Sequence, residues 1–369
     1  MVAEIITVAT EVVNANVSNN VAPYITEGLR DIGFDVFYQS SVDNDDSRVK
    51  KLFNVAASRS DLIALVTGYG VKADNIMAAY GLVKSKKSVG DAVIYEKNNL
   101  KVITFPLLCE DVQSLWNDYS SLINGMNGIF YYSATIKTTG LETGELLDRL
   151  SEIERIQLNP SVSIIQGMDY GIVKVTGYSK DFEEAKSSVK SVVKDIKDCI
   201  KGHIFTTDRN EYIENSVIRL LKKYDLKIST AESVTGGLVV SRLVNVPGAS
   251  EVFTHGFVTY SNKAKRKVLG VDRESLKKYS AVSKEVAKEM AKGAIFTADA
   301  DVSVAVTGYS GPDDTPEEPK GLVYIAVSVN DKVIVEKYNF SGSRNIIRNK
   351  AANRALELVR ESIIAAYGK

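Results

Sequence analysis

The sequence predicts an α/β protein of more than one domain, and three observations support this prediction. Short apolar runs rich in β-branched residues alternate with longer segments whose apolar residues recur at helical spacing, as in parallel sheets covered by helices. The 369 residues are enough for two or three compact units, each with its own core. Turn residues gather near 125–128 and near 206–208, and they predict domains at 1–126, 127–206 and 207–369.

The first segment alternates strand and helix in a βαβαβ pattern. The predicted strands lie at 3–9, 35–38 and 61–66, and the predicted helices lie at 20–32 and 45–57. Strands joined through helices pair in parallel, so a parallel sheet is expected. Asp43, Asp45 and Asp46 are interpreted as the start of the second helix, where carboxylates favour the helix dipole, rather than as a metal site.

The middle segment predicts a small α+β unit. A strand at 130–136 precedes a helix that carries Leu146, Leu147, Leu150 and Ile153. Two further strands are predicted around Val162 and Ile172, followed by a helix at 182–200.

The third segment contains a hydroxyl-rich loop, Ala231-Glu-Ser-Val-Thr-Gly-Gly237, between a short strand at 226–230 and a helix. Thr235 is placed to cap that helix, and Gly236 and Gly237 would let a ligand approach the first turn. Ser233 could attack a substrate. The same loop equally suits the binding of an anion by unpaired N–H groups, or an ordinary helix cap.

Further polar residues follow other predicted strands. Tyr260 and Lys265 lie at the C-terminal end of the strand predicted at 254–260, and Thr307 ends the apolar run at 301–307. Ligands of open α/β sheets bind outside the carboxyl ends of the strands, so these three residues and Ser233 are predicted to converge on one crevice. A fifth candidate is Arg344, which precedes a long helix interpreted as amphipathic and marked by Ile347, Ala351, Ala355, Leu358 and Ile363.

Each of these candidate site residues could instead have a purely structural role. Ser233 can cap a helix, Tyr260 can be a half-buried strand aromatic, and Thr307 can form a turn. Lys265 lies in the basic run 263–267, which is typical of a solvated helix face.

Several separated motifs of residues 207–369 resemble the C-terminal domain of the CinA family, a domain similar to the nicotinamide mononucleotide (NMN) deamidases called PncC. The motifs are Ala-Glu-Ser-x-Thr-Gly-Gly (231–237), Val-Pro-Gly-Ala-Ser (246–250), Thr-Tyr-Ser-Asn-x-x-Lys (259–265), Ala-Val-Ser (281–283), Val-Thr-Gly-x-x-Gly-Pro-Asp (306–313) and Gly-x-Arg (342–344). Val234 stands where the family usually has Cys, and this change is interpreted as packing.

The resemblance implies hydrolysis of NMN to nicotinic acid mononucleotide and ammonia, without a cofactor. Ser233 would be the nucleophile, Lys265 the base and Tyr260 an orienting or proton-relaying group. Thr307 and the N–H groups around Gly236 and Gly308 would bind the oxyanion or the phosphate. The remaining residues assigned to substrate binding are Thr235, Gly237 and Arg344, whose guanidinium suits phosphate.

The first two segments resemble the other CinA domains, a molybdopterin-binding-like (MoaB-like) domain and a small KH-like domain. In active relatives the former hydrolyses the pyrophosphate of ADP-ribose-like nucleotides with a divalent metal. Here the family's Val-Gly-Thr-Glu reads Val8-Ala9-Thr10-Glu11, and its second acidic loop ends in Asp74-Asn75. Asn75 is a weaker, neutral ligand than a carboxylate, so the fold is expected without the activity, and a metal is expected only if the activity persists.

The amino-acid composition limits the classes of partner and the location expected for this chain. The chain has 46 basic and 46 acidic residues and no strongly basic stripe, so no nucleic-acid partner is expected. The middle segment's Gly140-Leu-Glu-Thr-Gly144 lacks the Gly-x-x-Gly spacing of a KH clamp. Two distant cysteines, no apolar run near 20 residues and no cationic leader favour a cytoplasmic protein without a membrane segment.

The expected partner is a pyridine nucleotide, and the family resemblance implies a homodimer. Two alternatives stay open. One is a nucleotide-binding sensor without catalysis, and the other is a residual pyrophosphatase at Glu11 and Asp74.

Overall fold

The computed structural model describes residues 1–141, 143–156, 158–167, 170–311, 315–316 and 318–368, with the side chains of 143, 154–156 and 166 excepted. Tertiary contacts divide the chain into two compact units. Unit 1 comprises Met1–Ala134, Leu150–Ser163 and Lys174–Cys199. Unit 2 comprises Thr135–Arg149, Ile164–Val173 and Ile200–Lys369.

Unit 1 contains the N-terminal α/β sheet. Its elements are β1 (Val2–Val8), α1 (Thr10–Val13), α2 (Val21–Asp31), β2 (Asp35–Val42), α3 (Asp46–Ala57), β3 (Leu62–Thr67), α4 (Ala73–Ala79), β4 (Val83–Val89), β5 (Ala92–Lys97), β6 (Leu100–Pro106) and α5 (Val112–Ile123). The strand order is β2-β1-β3-β6-β5-β4. Strands β2, β1, β3 and β6 pair in parallel, which confirms the predicted parallel sheet.

The strands at the other edge of this sheet pair antiparallel, which the sequence pattern did not predict. Strands β4, β5 and β6 pair antiparallel, and β4 is the outer strand. Most of β4 is exposed and it carries Lys84, Lys86 and Lys87. Lysines on an edge strand discourage pairing with a strand of another chain, so these three lysines protect the exposed edge of the sheet at β4.

Three aspartates define the N-terminus of helix α3 in unit 1. The Asp45 side chain accepts a hydrogen bond from the N–H of Arg48 at 2.9 Å and so caps α3. Asp46 lies in the first turn, and Asp43 pairs with the Arg48 guanidinium. The interpretation of these three carboxylates as a helix start is confirmed.

The middle segment forms an α+β arrangement of β7 (Phe130–Thr138), α6 (Thr143–Ile156), β8 (Ser161–Gln166), β9 (Gly171–Ser179), α7 (Phe182–Cys199) and β10 (Ile204–Thr206). The sheet order is β10-β7-β9-β8. The predicted strands and helices are thus present, while Glu142 of the Gly140–Gly144 stretch lies outside the described residues. The division between the two units passes through this segment, so the boundaries 127–206 stay a prediction.

The C-terminal part of unit 2 holds the second α/β sheet. Its elements are α8 (Ile213–Lys223), β11 (Ile228–Glu232), α9 (Leu238–Val244), β12 (Phe253–Val258), α10 (Asn262–Leu269), α11 (Arg273–Tyr279), α12 (Lys284–Ala298), β13 (Val302–Gly308), β14 (Leu322–Val329), β15 (Lys332–Asn339) and α13 (Arg344–Tyr367). The order is β12-β11-β13-β14-β15. Strands β12, β11 and β13 are parallel, and β14 and β15 continue the sheet antiparallel.

Helix α13 is more buried than its predicted amphipathic character implies. All five residues that marked its apolar stripe are buried. Ala352, Leu356 and Val359 are buried as well, together with the polar residues Asn353 and Glu357. The prediction of an amphipathic helix is therefore wrong, because other parts of the protein pack around most of the helix surface. The small alanine side chains allow this close packing, and buried polar side chains such as Asn353 and Glu357 hydrogen-bond to each other.

Among the described residues, no helix combines the length and the low polarity that crossing a membrane requires.

Candidate active site

The carboxyl ends of the three parallel strands of unit 2 meet around one cavity of about 240 Å³. Ser233 follows β11, Tyr260 follows β12, and Thr307 and Gly308 end β13. The cavity is lined by Ser233, Val234, Tyr260, Lys265, Ala281, Val282, Thr307, Gly308, Tyr309, Ser310, Gly311, Glu318 and Arg344. The structure therefore brings together the four residues that the sequence predicted to converge, and the fifth candidate, Arg344, joins them from the start of α13.

Ser233 and Lys265 form the central contact of this cavity. The Nζ atom of Lys265 lies 2.9 Å from Oγ of Ser233, although the two residues are 32 positions apart in sequence. The same amine donates to the carbonyl oxygen of Thr259 at 2.9 Å, which fixes its direction. Ser233 is 8% exposed and Lys265 only 1%, so the pair is shielded from bulk water.

Burial changes the acid–base character of Lys265. It lowers the pKa of the Lys265 ammonium from 10.5 to about 8, because the charged form loses hydration. Desolvation by burial is the cause of this shift, and no ion pair with a carboxylate among the described residues counters it. The amine is thus close to the protonation balance that a general base needs near neutral pH.

Helix α10 explains why one lysine of a basic run points inward. The Ser261 hydroxyl accepts a hydrogen bond from the N–H of Ala264 at 3.1 Å and starts the helix there. Lys265 then faces the sheet, while Lys263 and Lys267 are exposed. The alternative interpretation of Lys265 as a solvated cation is wrong for this residue and correct for its neighbours.

Tyr260 and Arg344 lie together at the rim. The Nη2 atom of Arg344 donates to the Tyr260 hydroxyl at 3.0 Å, and Nη1 donates to the carbonyl oxygen of Gly311 at 2.8 Å. Tyr260 is 61% exposed, so it is not the half-buried strand aromatic of the alternative interpretation. Its hydroxyl bonds to Arg344 rather than to Ser233 or Lys265, and the predicted proton relay stays a prediction.

Thr307 and Gly308 form the floor of the cavity at the end of β13. Thr307 is 1% exposed, and its hydroxyl donates to the carbonyl oxygen of Ala281 at 2.8 Å. A Cβ atom on Gly308 would lie 2.7 Å from the carbonyl oxygen of Leu322, so only glycine fits there. Pro312 and Asp313, the last residues of the family motif, lie outside the described residues, as does Asp314.

The loop after Ser233 is organised differently from the prediction. Helix α9 begins at Leu238 with Gly237 as its N-cap residue, so the N-cap position itself offers no side chain to cap the helix. The buried Glu232 carboxylate instead accepts the N–H groups of Gly237, Val239 and Val240 at 2.8, 3.1 and 2.9 Å. The predicted cap by Thr235 is therefore wrong, because a carboxylate inside the fold already fills the anion site of this helix.

Thr235, Gly236 and Gly237 also lie outside the set of described residues that line the cavity. The N–H of Gly236 donates to the carbonyl oxygen of Ser233 at 3.1 Å, and the Gly237 N–H is held by Glu232. Of the N–H groups predicted to bind an oxyanion or phosphate, those of Gly236 and its neighbour Gly237 thus have partners within the protein.

Two positioning residues were missed from the sequence. Glu232 is the first, and the second is Arg348 of α13, which donates to the carbonyl oxygens of Val234 at 3.1 Å and Thr235 at 2.8 Å. A carboxylate that directly precedes a glycine-rich helix start could have indicated Glu232. For Arg348, more than 110 positions away, the sequence carries no such signal. Val234 is buried in a hydrophobic core of unit 2 and also lines the cavity, so the interpretation of that departure as packing stays a prediction.

The acidic pair of the N-terminal domain has separate partners. Glu11 accepts a hydrogen bond from the N–H of Tyr69 at 2.7 Å, which lowers the pKa of its carboxyl group. Asp74 accepts from the Tyr95 hydroxyl and pairs with Lys84 at 3.2 Å, and both partners lower its pKa. Among the described residues, no group of three or more His, Cys, Asp or Glu side chains is placed to hold a metal ion.

Comparisons with known proteins agree with this architecture. A family model described as the CinA C-terminal domain matches residues 210–363, and one described as a probable molybdopterin binding domain matches residues 4–104. The chain is 31% identical to a competence-damage inducible protein of Caldicellulosiruptor saccharolyticus, across 99% of this chain and 100% of the relative. It is 32% identical to a CinA-like protein of Kosmotoga olearia, across 99% of each.

Among solved structures, a competence-damaged protein (CinA) superfamily protein of Escherichia coli shares 37% identity, over 42% of this chain and 94% of that one, with a TM-score of 0.40. The relatives matched over nearly their full length carry the assignment. The chain belongs to the CinA family of competence/damage-inducible proteins.

Proposed function

We propose that this chain deamidates NMN to nicotinic acid mononucleotide and ammonia at the cavity of unit 2. The observation that carries the proposal is the buried contact of 2.9 Å between Ser233 Oγ and Lys265 Nζ. An amide carbonyl is a poor electrophile, so its hydrolysis needs an activated nucleophile. A serine beside a lysine whose pKa is lowered to about 8 meets that need without a histidine.

In the first step, neutral Lys265 accepts the proton of the Ser233 hydroxyl while Oγ attacks the carboxamide carbon. The C–O bond forms and the carbonyl oxygen gains the negative charge. When this tetrahedral intermediate collapses, the C–N bond breaks and the Lys265 ammonium returns its proton to the leaving nitrogen, which departs as ammonia. The pyridine acid is then held as an ester on Ser233.

In the second step, water attacks that ester. Lys265, neutral again, accepts a proton from the water and returns it to Oγ of Ser233 as the ester C–O bond breaks. This restores the Ser233 hydroxyl and the neutral amine, and the carboxylic acid product releases its own proton to solvent. The carbonyl oxygen of Thr259, 2.9 Å from Nζ, keeps the amine directed at the reacting atoms throughout. Glu232 and Arg348 hold the loop that carries Ser233, one through its N–H groups and the other through its carbonyl oxygens.

The remainder of the cavity suggests how the nucleotide lies. The pyridine carboxamide enters toward Ser233, and the ribose phosphate extends toward the rim. There Arg344 offers a planar guanidinium, the group best matched to phosphate oxygens. The exposed Tyr260 ring, hydrogen-bonded to that guanidinium, supplies a flat apolar wall beside it.

The direct test incubates the full-length chain with NMN in excess EDTA and measures ammonia and nicotinic acid mononucleotide. Ser233→Ala and Lys265→Met are assayed beside it, with Lys267→Met as the matched control because Lys267 is exposed on the same helix. The proposal expects wild-type rates of product formation from the Lys267 variant, and rates lowered by about 1,000-fold or more from the other two.

The two alternative functions give other results in the same assay. NMN binding without product would support a nucleotide sensor. Hydrolysis of ADP-ribose that requires a divalent metal, and that Glu11→Gln abolishes, would support a residual pyrophosphatase in unit 1.

A further inference from the structure

We infer that Ser310 is a further substrate-contacting residue of this site and that its hydroxyl donates a hydrogen bond to the carboxamide oxygen of the substrate. The inference rests on the proposed deamidation. Ser310 lies two residues after β13 and lines the same cavity as Ser233 and Lys265. It is only 4% exposed, and its Oγ atom has no hydrogen-bond partner among the described residues.

A buried hydroxyl without a partner disfavours the folded state, so its presence calls for an explanation. In this case the residue that carries the hydroxyl lines a cavity that also holds a nucleophile and a base. A polar group of the substrate is the partner that such a position lacks. The sequence pattern does not single out Ser310, because a serine in a turn-rich stretch is most often a turn former.

The neighbouring hydroxyl of Thr307 cannot serve in the same way. Its proton is engaged by the carbonyl oxygen of Ala281 at 2.8 Å, so towards a ligand Thr307 is an acceptor only. An oxygen that becomes negative during the reaction needs a donor. Of these two hydroxyls at the end of β13, only that of Ser310 still has its proton to offer.

Ser310 is also held in place on both sides. The N–H of Tyr309 donates to the carbonyl oxygen of Leu322 at 2.9 Å, and the Tyr309 carbonyl oxygen accepts from Gly321 at 2.8 Å. On the other side, the Gly311 carbonyl oxygen accepts from Arg344 at 2.8 Å. A donor fixed before the substrate arrives stabilises a developing oxyanion without reorganisation.

The proposed contact strengthens as Ser233 attacks, since the carboxamide oxygen then gains charge. The proton stays on Ser310 Oγ, so no bond is made or broken at this residue. The effect of its removal therefore belongs mainly in kcat rather than in KM.

The test compares Ser310→Ala with Ser229→Ala in the NMN assay. Ser229 is a matched control on β11, because it is fully buried, its Oγ also lacks a partner among the described residues, and it is not among the described residues that line the cavity. Ser310→Ala is expected to lower kcat about 100-fold, with KM changed less than about threefold. Ser229→Ala is expected to keep the wild-type kcat. Because Ser310 Oγ bonds to no described residue, neither variant is expected to lower the melting temperature.

Failure of this inference can be told apart from failure of the proposed function. Wild-type turnover that Ser310→Ala preserves would overturn the inference alone. If the wild type binds NMN without turnover, the proposed function fails, and the inference fails with it because no oxyanion then forms at the carboxamide. A wild type that neither binds nor converts NMN would overturn both.

Discussion

Replacing Lys265 by methionine is predicted to abolish activity while removing a cost to stability that depends on pH. The side chain is 1% exposed, and burial lowers the pKa of its ammonium from 10.5 to about 8. That difference corresponds to roughly 3 kcal/mol of preference for the neutral form in the folded state. Methionine has a similar length and no charge, so it does not carry this cost.

The sign follows from the protons that each state binds. Between pH 8 and 10.5 the unfolded chain keeps the proton on Lys265 while the folded chain has lost it, so wild-type stability rises with pH across this window. Below pH 8 both states are protonated and the full cost of roughly 3 kcal/mol is present. Above pH 10.5 both states are neutral and the cost has gone.

The difference in unfolding free energy between Lys265→Met and wild type should therefore shrink as pH rises. From pH 7 to pH 9.5, about 2 kcal/mol of the methionine advantage is expected to disappear. The two lost hydrogen bonds, to Ser233 and Thr259, offset this advantage by a similar amount at every pH and cancel from the pH dependence.

Urea unfolding followed by far-UV circular dichroism at both pH values measures this difference. The single tryptophan, Trp116, lies in the core of unit 1 and does not report on unit 2. Lys267→Met is the control, and its difference from wild type should not depend on pH because Lys267 is exposed. A Lys265→Met difference that is the same at pH 7 and pH 9.5 would refute the assignment of a desolvated amine.

Three further predictions address the site and the fold. The kcat/KM for NMN should rise about tenfold per pH unit below pH 7 and level off above the Lys265 pKa of about 8, and a rate that falls over this range would exclude a neutral lysine base. Glu232→Gln should cost about 2 kcal/mol of unfolding free energy and lower kcat, because one amide N–H₂ must face backbone donors, and unchanged urea unfolding would contradict this. Asp45→Ala removes the cap of α3 and should lower the unfolding free energy of unit 1 by about 1 kcal/mol, as measured by Trp116 fluorescence. NMN turnover should be retained, and its loss would contradict a deamidase site that lies in unit 2.

The convergence of Ser233, Tyr260, Lys265 and Thr307 was predictable because it follows from one geometric rule. Parallel strands that share a sheet end at the same edge, so residues after each strand meet without any knowledge of side-chain contacts. The inward direction of Lys265 was not predictable from the basic run 263–267, since only the start of α10 at Ser261 decides which lysine faces the sheet.

The sequence could not show which charged side chains inside the fold bind the backbone N–H and carbonyl groups of the loop that carries Ser233. The helix N-terminus after Ser233 suggested an external anion, but Glu232 supplies that anion from the preceding strand. Arg348 reaches the same loop from α13, and only the packing of that helix makes the contact possible. A local pattern predicts that a backbone group needs a partner, whereas the tertiary fold decides which partner it finds.

The contact between Ser233 and Lys265 is tested most directly by a double-mutant cycle on kcat for NMN deamidation, with Ser233→Ala, Lys265→Met and the double variant. If the two side chains act as one unit across their 2.9 Å contact, each single change should lower kcat by about 1,000-fold or more and the double change should lower it no further. Losses that multiply in the double variant, or a Ser233→Ala protein that keeps the wild-type rate, would contradict the account.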